Sequence, residues 1–418
     1  MNKRTKTTLR RWCLYGWTFA KWTMAASAIG VVCGLIGTMF HFGVHEVTAF
    51  RGTHPWVLYL LPLAGFVIVS FYKLTETDGL GTDDIIDAVH EGKRLPILLL
   101  PAIFFGTVLT HLCGGSAGRE GAALQMGGTI GQCMGRTFRL DDRDLRVATL
   151  AGMAAFFSAL FGTPLTATVF ALEVISVGVM YYSAIVPCVI AAVVGDRISS
   201  LFGIAPTEFL LTGVPEGSAL GVAKVALLGV LCAVLSILFC VCMHQSAALY
   251  KKLIPNKYLC AAVGGLLVAL LTLLVGTRDY NGAGMDVIAR AVAGQARPEA
   301  FALKILFTAL TLGAGFKGGE IVPAFFTGAT FGNVIGKLLG LSPSFGAGLG
   351  LVALFCGVTN CPVSSLILSV ELFGAKGFGF FAVVVAVSFM LSGYYGLYSE
   401  QKIVYSKLKP EFIDKKVE

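Results

Sequence analysis

The chain has 418 residues, of which 56% are hydrophobic and only 13% are charged. Soluble domains carry about 25% charged residues, so the composition excludes an ordinary soluble protein. The formal net charge of +8 does not require a nucleic-acid partner, because most lysines and arginines lie at the termini and in loops. The 11 cysteines lie mostly in apolar runs and include no CxxC pair, which favours packing roles over a metal site. No metal or organic cofactor is predicted.

Long uncharged runs follow one another along the chain, and several approach the roughly 20 residues that cross a bilayer. They are Trp22–His45, Gly52–Tyr72, Leu95–Gly118, Val147–Leu172, Val174–Gly195, Val225–Met243, Tyr258–Thr277, Leu338–Val370 and Gly377–Ser399. These runs predict a polytopic, all-α membrane protein. We expect residues 1–14 to form a basic cytoplasmic N-terminus rather than a cleaved signal, and residues 399–418 a short charged cytoplasmic tail.

Several runs are too short or too interrupted to be whole spans. Phe161-Gly-Thr-Pro164 interrupts one run, and Ser342-Pro-Ser344 and Thr359-Asn-Cys-Pro362 interrupt another. Short, glycine-rich and broken helices are typical of transporters that bind their substrate near the middle of the membrane.

An internal repeat joins the two parts of the chain. Gly115–Gly128 aligns without a gap on Gly315–Gly328, which pairs Glu120 with Glu320. Gly152–Glu173 aligns in the same way on Gly350–Glu371. We therefore predict two homologous halves. The first transmembrane half covers residues 15–205, a connector covers 206–219, and the second transmembrane half covers 220–398. The sequence leaves open whether the halves are inverted.

The repeat places acids in glycine-rich turns inside apolar sequence. Glu120 follows the uncharged run Leu95–Gly118. A helix that begins after such a turn presents free N–H groups and a partial positive charge, which bind anions. An ionised carboxylate can occupy such a site, and a protonated one can leave it with a proton. A surface loop is the alternative for Glu120.

The charged neighbours of these acids allow structural interpretations. We expect Arg119 to brace its turn through backbone carbonyls. Lys317 either neutralises Glu320 or lies at the membrane interface. Glu173 and Glu371 end apolar helices, which favours a structural or snorkelling role.

These motifs resemble the CLC family of anion channels and proton-coupled anion antiporters. Gly118-Arg-Glu-Gly121 is similar to the family's GREGP signature, with Ala122 in place of the proline. Gly319–Pro323 is similar to G-x-F-x-P, and Gly79–Asp83 to GSGIP. Tyr398 falls where the family has an anion-binding tyrosine. The resemblance implies an all-α fold of two inverted halves built from short, tilted and broken helices.

Where the sequence departs from the family's usual signatures, its residues are more similar to those of the fluoride-exporting branch, CLC-F, than to those of the chloride members. Leu80 replaces the chloride-coordinating serine of the first signature. Ile321 replaces the phenylalanine of the third signature, and Glu320 stands immediately before it. Val174 stands where chloride antiporters have an internal proton-transfer glutamate. The resemblance implies a fluoride/proton antiporter in the cell's inner membrane, a multi-pass homodimer surrounded by lipid, with fluoride and protons as the transported ions.

The resemblance also implies roles for individual residues. Glu120 is the gate and proton carrier, and Glu320 sets fluoride selectivity and shares the proton path. Residues expected to bind or shape the anion site are Leu80, Gly118, Gly121, Gly318, Gly319, Ile321 and Tyr398. Fluoride is small and strongly hydrated, so its site needs strong donors such as helix N–H groups, the Tyr398 hydroxyl and a protonated Glu320.

Other functions compete with this interpretation. A passive anion channel for fluoride or chloride needs no proton step, and a chloride/proton antiporter uses a related site. Gly114-Gly-Ser116-Ala-Gly118 fits the G-x-S-x-G pattern of serine hydrolases. The second repeat has Phe316 at the position of Ser116, however, and hydrolysis does not explain Glu320. We therefore do not expect an enzyme.

Overall fold

The structure is a computed structural model that describes residues 3–417, with side chains from Arg10 onward. Met1, Asn2 and Glu418, which belong to the predicted N-terminus and tail, lie outside the described residues. The described chain forms sixteen α-helices and three short strands. The helices are α1 (Lys3–Thr53), α2 (Leu61–Leu74), α3 (Thr82–Glu91), α4 (Leu99–Cys113), α5 (Glu120–Thr137), α6 (Asp142–Phe161), α7 (Pro164–Glu173), α8 (Ile185–Leu201), α9 (Ala219–Leu253), α10 (Lys257–Val275), α11 (Met285–Val292), α12 (Ala300–Gly313), α13 (Ile321–Leu338), α14 (Pro343–Thr359), α15 (Pro362–Phe373) and α16 (Phe378–Leu391).

This architecture confirms the predicted all-α polytopic class. Seven helical segments of the described chain are long and apolar enough to cross a membrane. Helices α1 and α9 have 51 and 35 residues, so they exceed the length that an upright span requires. Other apolar helices are shorter and have 10–17 residues. The fold therefore combines long helices with short ones that do not cross the bilayer alone.

The helices break where the sequence predicts interruptions. Helix α6 ends at Phe161, Gly162 takes a left-handed conformation with φ +66°, and Pro164 begins α7. Helix α14 ends at Thr359, and Asn360 takes the same conformation with φ +59° before Pro362 begins α15. Proline suits the first turn of a helix because the N–H that it lacks has no partner within the helix.

The structure shifts the register of the first repeat by one residue. Helices α5 and α13 each have 18 residues, and they begin at Glu120 and Ile321. Glu320 is the residue before α13, so it corresponds to Arg119 and not to Glu120. The gap-free alignment of the two acids was therefore wrong. The two halves place their glutamates at adjacent positions of the same turn.

Glycines allow the repeated helices to pack with their backbones in contact. A Cβ added at Gly127 of α5 would lie 2.3 Å from the carbonyl oxygen of Gly152 in α6. A Cβ added at Gly328 of α13 would lie 2.4 Å from the carbonyl oxygen of Gly350 in α14. Small residues at such contacts bring transmembrane helices close together. The two helix pairs hold the first turns of α5 and α13 in fixed positions.

Helices α7 and α15 cap one another across the two parts of the chain. Each ends near a glutamate whose carboxylate accepts hydrogen bonds from the first turn of the other helix. Glu371 accepts from the N–H groups of Leu165 and Thr166, at 3.0 and 2.9 Å. Glu173 accepts from the N–H groups of Val363 and Ser364, at 3.0 and 2.9 Å, and from the Ser364 hydroxyl at 2.7 Å. Both glutamates thus have the structural role that the sequence favoured.

A small sheet at the end of the chain was not predicted. Strand β1 (Ser176–Val177) pairs in parallel with β2 (Lys402–Tyr405), and β2 pairs antiparallel with β3 (Phe412–Lys416). The sheet joins the segment after α7 to residues 399–418, for which the sequence predicts a short charged tail and no strands. It therefore fixes the segment that contains Tyr398.

Replacing Glu173 with alanine is expected to destabilise the fold. The change leaves buried donors at the start of α15 without their acceptor, which costs about 1–3 kcal/mol per unsatisfied group. We expect a lower midpoint of thermal unfolding in detergent. Glu216→Ala is the matched control, because Glu216 is exposed in the 206–219 segment. Equal midpoints for the two variants would show that the cross-helix cap contributes little.

Candidate anion site

Two glycine turns meet at the centre of the molecule. The N–H of Gly118 donates to the carbonyl oxygen of Gly319 at 2.7 Å, and the N–H of Gly319 donates to that of Gly118 at 2.9 Å. A Cβ added at Gly319 would lie 2.4 Å from the nitrogen of Gly121, and one added at Gly318 would lie 2.9 Å from the oxygen of Gly118. Only glycine permits this approach. The first turns of α5 and α13 consequently face one another.

The Glu120 side chain reaches from its own turn to the start of the other helix. Its Oε2 accepts a hydrogen bond from the N–H of Val322, in the first turn of α13, at 3.1 Å. The residue is fully buried, and Oε1 has no hydrogen-bond partner among the described residues. A carboxylate therefore occupies a helix N-terminus, the place where physical chemistry favours an anion.

Glu320 lies beside the paired turns and lines a cavity. A Cβ added at Gly121 would lie 3.6 Å from Oε2 of Glu320, so this carboxylate is close to the first turn of α5. No ion pair between Lys317 and Glu320 occurs among the described residues, which removes one of the two expected roles of Lys317. Its Nζ lies instead 4.3 Å from the centre of the Tyr72 ring.

A cavity of about 240 Å³, here called the tail-side cavity, reaches this region from the face that holds the C-terminal sheet. Its lining includes Tyr72, Leu80, Asp83, Lys317, Glu320 and Tyr398. The Asp83 carboxylate accepts a hydrogen bond from the N–H of Glu400 at 3.3 Å. Burial raises the pKa of the Asp83 carboxyl, and the bond from Glu400 opposes this shift. The cavity thus joins Leu80 and Tyr398 to Glu320.

Tyr398 offers an unused donor to this cavity. The residue is 3% exposed, and its hydroxyl has no hydrogen-bond partner among the described residues. The segment around it is fixed by Gln401, whose side chain donates to the carbonyls of Val174 and Thr359, both at 2.9 Å. Val174 is fully buried, and its carbonyl oxygen accepts the hydrogen bond from Gln401.

A second cavity, of about 530 Å³ and here called the opposite cavity, lies beside the last turns of α1, from His41 to Gly52. Its lining includes His41, Arg51, His111, Arg119, Arg278 and Asp286. Arg119 donates to the carbonyl oxygen of Leu160 at 3.3 Å, as expected for a bracing residue, and its Nη1 lies 3.0 Å from Nδ1 of His41. Glu120 lines neither cavity, but its neighbour Arg119 lines the opposite cavity, and Gly318 and Glu320 of the paired turn line the tail-side cavity. The buried Glu120 carboxylate therefore lies between the two cavities.

Sequence reasoning missed a row of polar side chains on α12, two of which contact the glycine turn before α5. Lys304 is fully buried, and its Nζ donates to the carbonyl oxygens of Tyr280 and Gly282 at 3.2 and 2.6 Å. Thr308 and Thr311, one and two turns later, contact Ser116 through its hydroxyl and its N–H, both at 3.0 Å. The sequence signal that could have identified this row is Lys304, a lysine within an otherwise apolar helix. Among the described residues, the hydrogen-bond partner of the Ser116 hydroxyl is the hydroxyl of Thr308 and not a histidine.

Comparisons with known proteins agree with this architecture. The family model described as "Voltage gated chloride channel" matches residues 63–393. A "Chloride/fluoride channel protein" of Pseudomonas syringae pv. tomato is 36% identical over 396 residues, which are 93% of this chain and 88% of that protein.

Two solved structures have a similar fold. A crystal structure of a CLC-type fluoride/proton antiporter has a TM-score of 0.89 and 30% identity, and the match covers 91% of this chain and 98% of the other. A slow cyanobacterial Cl⁻/H⁺ antiporter has a TM-score of 0.77 and 21% identity over 89% of this chain and 94% of the other, a likeness of fold alone. From the paired turns, the family model and the extent of these matches, we conclude that this chain belongs to the CLC family of anion channels and transporters.

Proposed function

We propose that the chain exports fluoride in exchange for protons. The observation that carries this proposal is the Glu120 carboxylate, which accepts the N–H of Val322 at the start of α13 and is buried between two cavities. A passive pore does not require a titratable group at this point, whereas an exchanger does. The names of two similar proteins, a chloride/fluoride channel protein and a fluoride/proton antiporter, support fluoride as the cargo.

In this mechanism, Glu120 and fluoride compete for the same donors. The ionised carboxylate holds the N-terminus of α13 and keeps the two cavities apart. When Glu120 takes up a proton, its attraction to the helix N-terminus falls, because the carboxyl no longer carries the charge that the N–H groups favour. Fluoride then takes the position, and the side chain carries its proton away. Because the carboxylate and fluoride occupy this position in turn, movement of the proton is coupled to movement of the anion.

Glu320 is the residue that we assign to fluoride selectivity and to a share in the proton path. When protonated it donates a short hydrogen bond, and fluoride, as a small anion of high charge density, gains more from that donor than chloride does. When ionised it repels either anion. Its position in the tail-side cavity, with the free hydroxyl of Tyr398 in the same lining, supports a shared role in removing the water of hydration from fluoride.

The remaining predicted residues have supporting roles in this proposal. Gly118, Gly121, Gly318 and Gly319 shape the paired turns, and the backbone at Ile321 forms part of the first turn of α13. Leu80 lines the tail-side cavity with an apolar side chain in place of a polar ligand. From the family resemblance we further infer a homodimer in the inner membrane, with one pathway in each subunit.

Purified protein in liposomes is expected to couple fluoride to protons. A fluoride gradient should drive protons against their own gradient, because each anion replaces a protonated carboxylate. The measurement is paired fluoride and chloride flux with a pH readout. Fluoride movement that follows voltage alone would favour the passive channel, and proton pumping by chloride but not by fluoride would favour the chloride/proton antiporter.

Glu120→Gln should abolish proton coupling, since the amide keeps the size of the side chain but cannot carry the proton. We expect fluoride to move passively or not at all, with no accompanying change of pH in the liposomes. Glu46→Gln is the matched control, because Glu46 lies exposed on α1. Retained coupling in Glu120→Gln would exclude this residue as the proton carrier.

Glu320→Ala should reduce the preference for fluoride over chloride by about ten-fold, because hydrogen bonds to charged groups contribute about 1.5–3 kcal/mol. The measurement is the ratio of fluoride to chloride flux at equal concentrations. Glu299→Ala, at an exposed acid before α12, is the control. An unchanged ratio would leave Glu320 with a structural role only.

A further inference from the structure

Lys317 presents an unpaired ammonium group to the tail-side cavity. The two carboxylates whose charges act on it are Asp78 and Asp84. Each is already held by another lysine: Asp78 pairs with Lys257 at 2.6 Å, and Asp84 pairs with Lys93. Among the described residues, Nζ of Lys317 has no ion pair or hydrogen bond, and its contact is the face of the Tyr72 ring. Lys317 is partly buried, and a cation withdrawn from water in this way normally has a carboxylate or a ligand as its partner.

Tyr72 adds a second donor without a partner. Its side chain lies on α2, is 2% exposed and lines the same cavity as Lys317. The hydroxyl has no hydrogen-bond partner among the described residues. Buried hydroxyl groups are rarely left unsatisfied, so the Tyr72 hydroxyl has a donor available for a species bound in the cavity.

The local packing leaves room for this pair of side chains. A Cβ added at Gly106 of α4 would lie 3.1 Å from Cγ of Lys317 and 3.2 Å from Cε2 of Tyr72. Glycine at this position therefore allows both side chains to enter the cavity side by side. Of the other acids in the lining, Asp83 is hydrogen-bonded to the backbone of Glu400, and Glu320 lies near the first turn of α5.

We propose that Lys317 and Tyr72 form a subsite for a small anion in the tail-side cavity, where fluoride binds before it reaches Glu320 and Tyr398. The inference rests on the proposed function for the identity of the anion. The ammonium offers charge and the phenol offers a directed hydrogen bond, two donors that compensate a strongly hydrated ion for the water that it loses. The subsite raises the local concentration of fluoride beside residues whose carboxylates would otherwise repel it.

Fluoride binding to purified protein tests the subsite without requiring transport. Titration calorimetry with sodium fluoride gives the dissociation constant, and liposome flux gives the half-saturating fluoride concentration. We expect Lys317→Met to raise both about five- to ten-fold and Tyr72→Phe to raise them about two- to three-fold, in line with about 1 kcal/mol for one hydrogen bond and more for a charged donor. Lys317→Arg keeps the charge and should stay within about three-fold of the unaltered protein.

The chain offers a matched control on its surface. Lys73 is exposed, and its Nζ lies 4.6 Å from the centre of the Tyr258 ring, so it reproduces the same pair of side chains away from the cavity. Lys73→Met should leave both fluoride constants unchanged. If Lys317→Met and Tyr72→Phe match this control, the subsite is excluded. Tyr72→Phe keeps the ring and its packing, so the test holds even where Lys317→Met does not fold.

The outcome is separable from that of the proposed function. Protein that binds fluoride through Lys317 but moves no protons would retain the subsite and reject proton exchange. Protein that exchanges fluoride for protons, with fluoride dissociation and half-saturation constants that do not change in the Lys317 and Tyr72 variants, would retain proton exchange and reject the subsite.

Discussion

The structure depends on helix N-termini that lie within the helical bundle and take their acceptors from another part of the chain. Free N–H groups at such positions have no water to bond with, so each requires an acceptor from the protein or a ligand. Glu371 serves the start of α7, Glu173 serves the start of α15, and Glu120 serves the start of α13. One physical requirement thus places three carboxylates in a largely apolar protein.

These carboxylates differ in how fully they are satisfied. Both oxygens of Glu173 and both of Glu371 accept hydrogen bonds from the helix that they cap. Only Oε2 of Glu120 bonds to α13, and its Oε1 lacks a partner among the described residues. A fully bonded carboxylate is costly to remove, whereas a partly bonded one can be exchanged for another anion at lower cost. The same chemistry therefore yields a fixed cap in one place and a candidate gate in the other.

Tight helix packing fixes the backbone around Glu120, the candidate gate. Backbone contact between α5 and α6 and between α13 and α14 fixes the two glycine turns, and their mutual hydrogen bonds set the distance between them. The C-terminal sheet and Gln401 hold the segment of Tyr398 against the ends of α7 and α14. In the proposed mechanism, the Glu120 side chain moves while the helices that present the N–H groups stay in place.

The sequence by itself determined the membrane class, the helix breaks before Pro164 and Pro362, and the unusual position of Glu120, since apolar length, proline and glycine act locally. Only the tertiary structure decided that Glu320 corresponds to Arg119, that Glu173 and Glu371 cap each other's helices, and that Lys317 faces Tyr72. These facts depend on contacts between residues far apart in the chain, with helix packing setting the register. A local pattern of residue types contains no information about which distant donor will meet which acceptor.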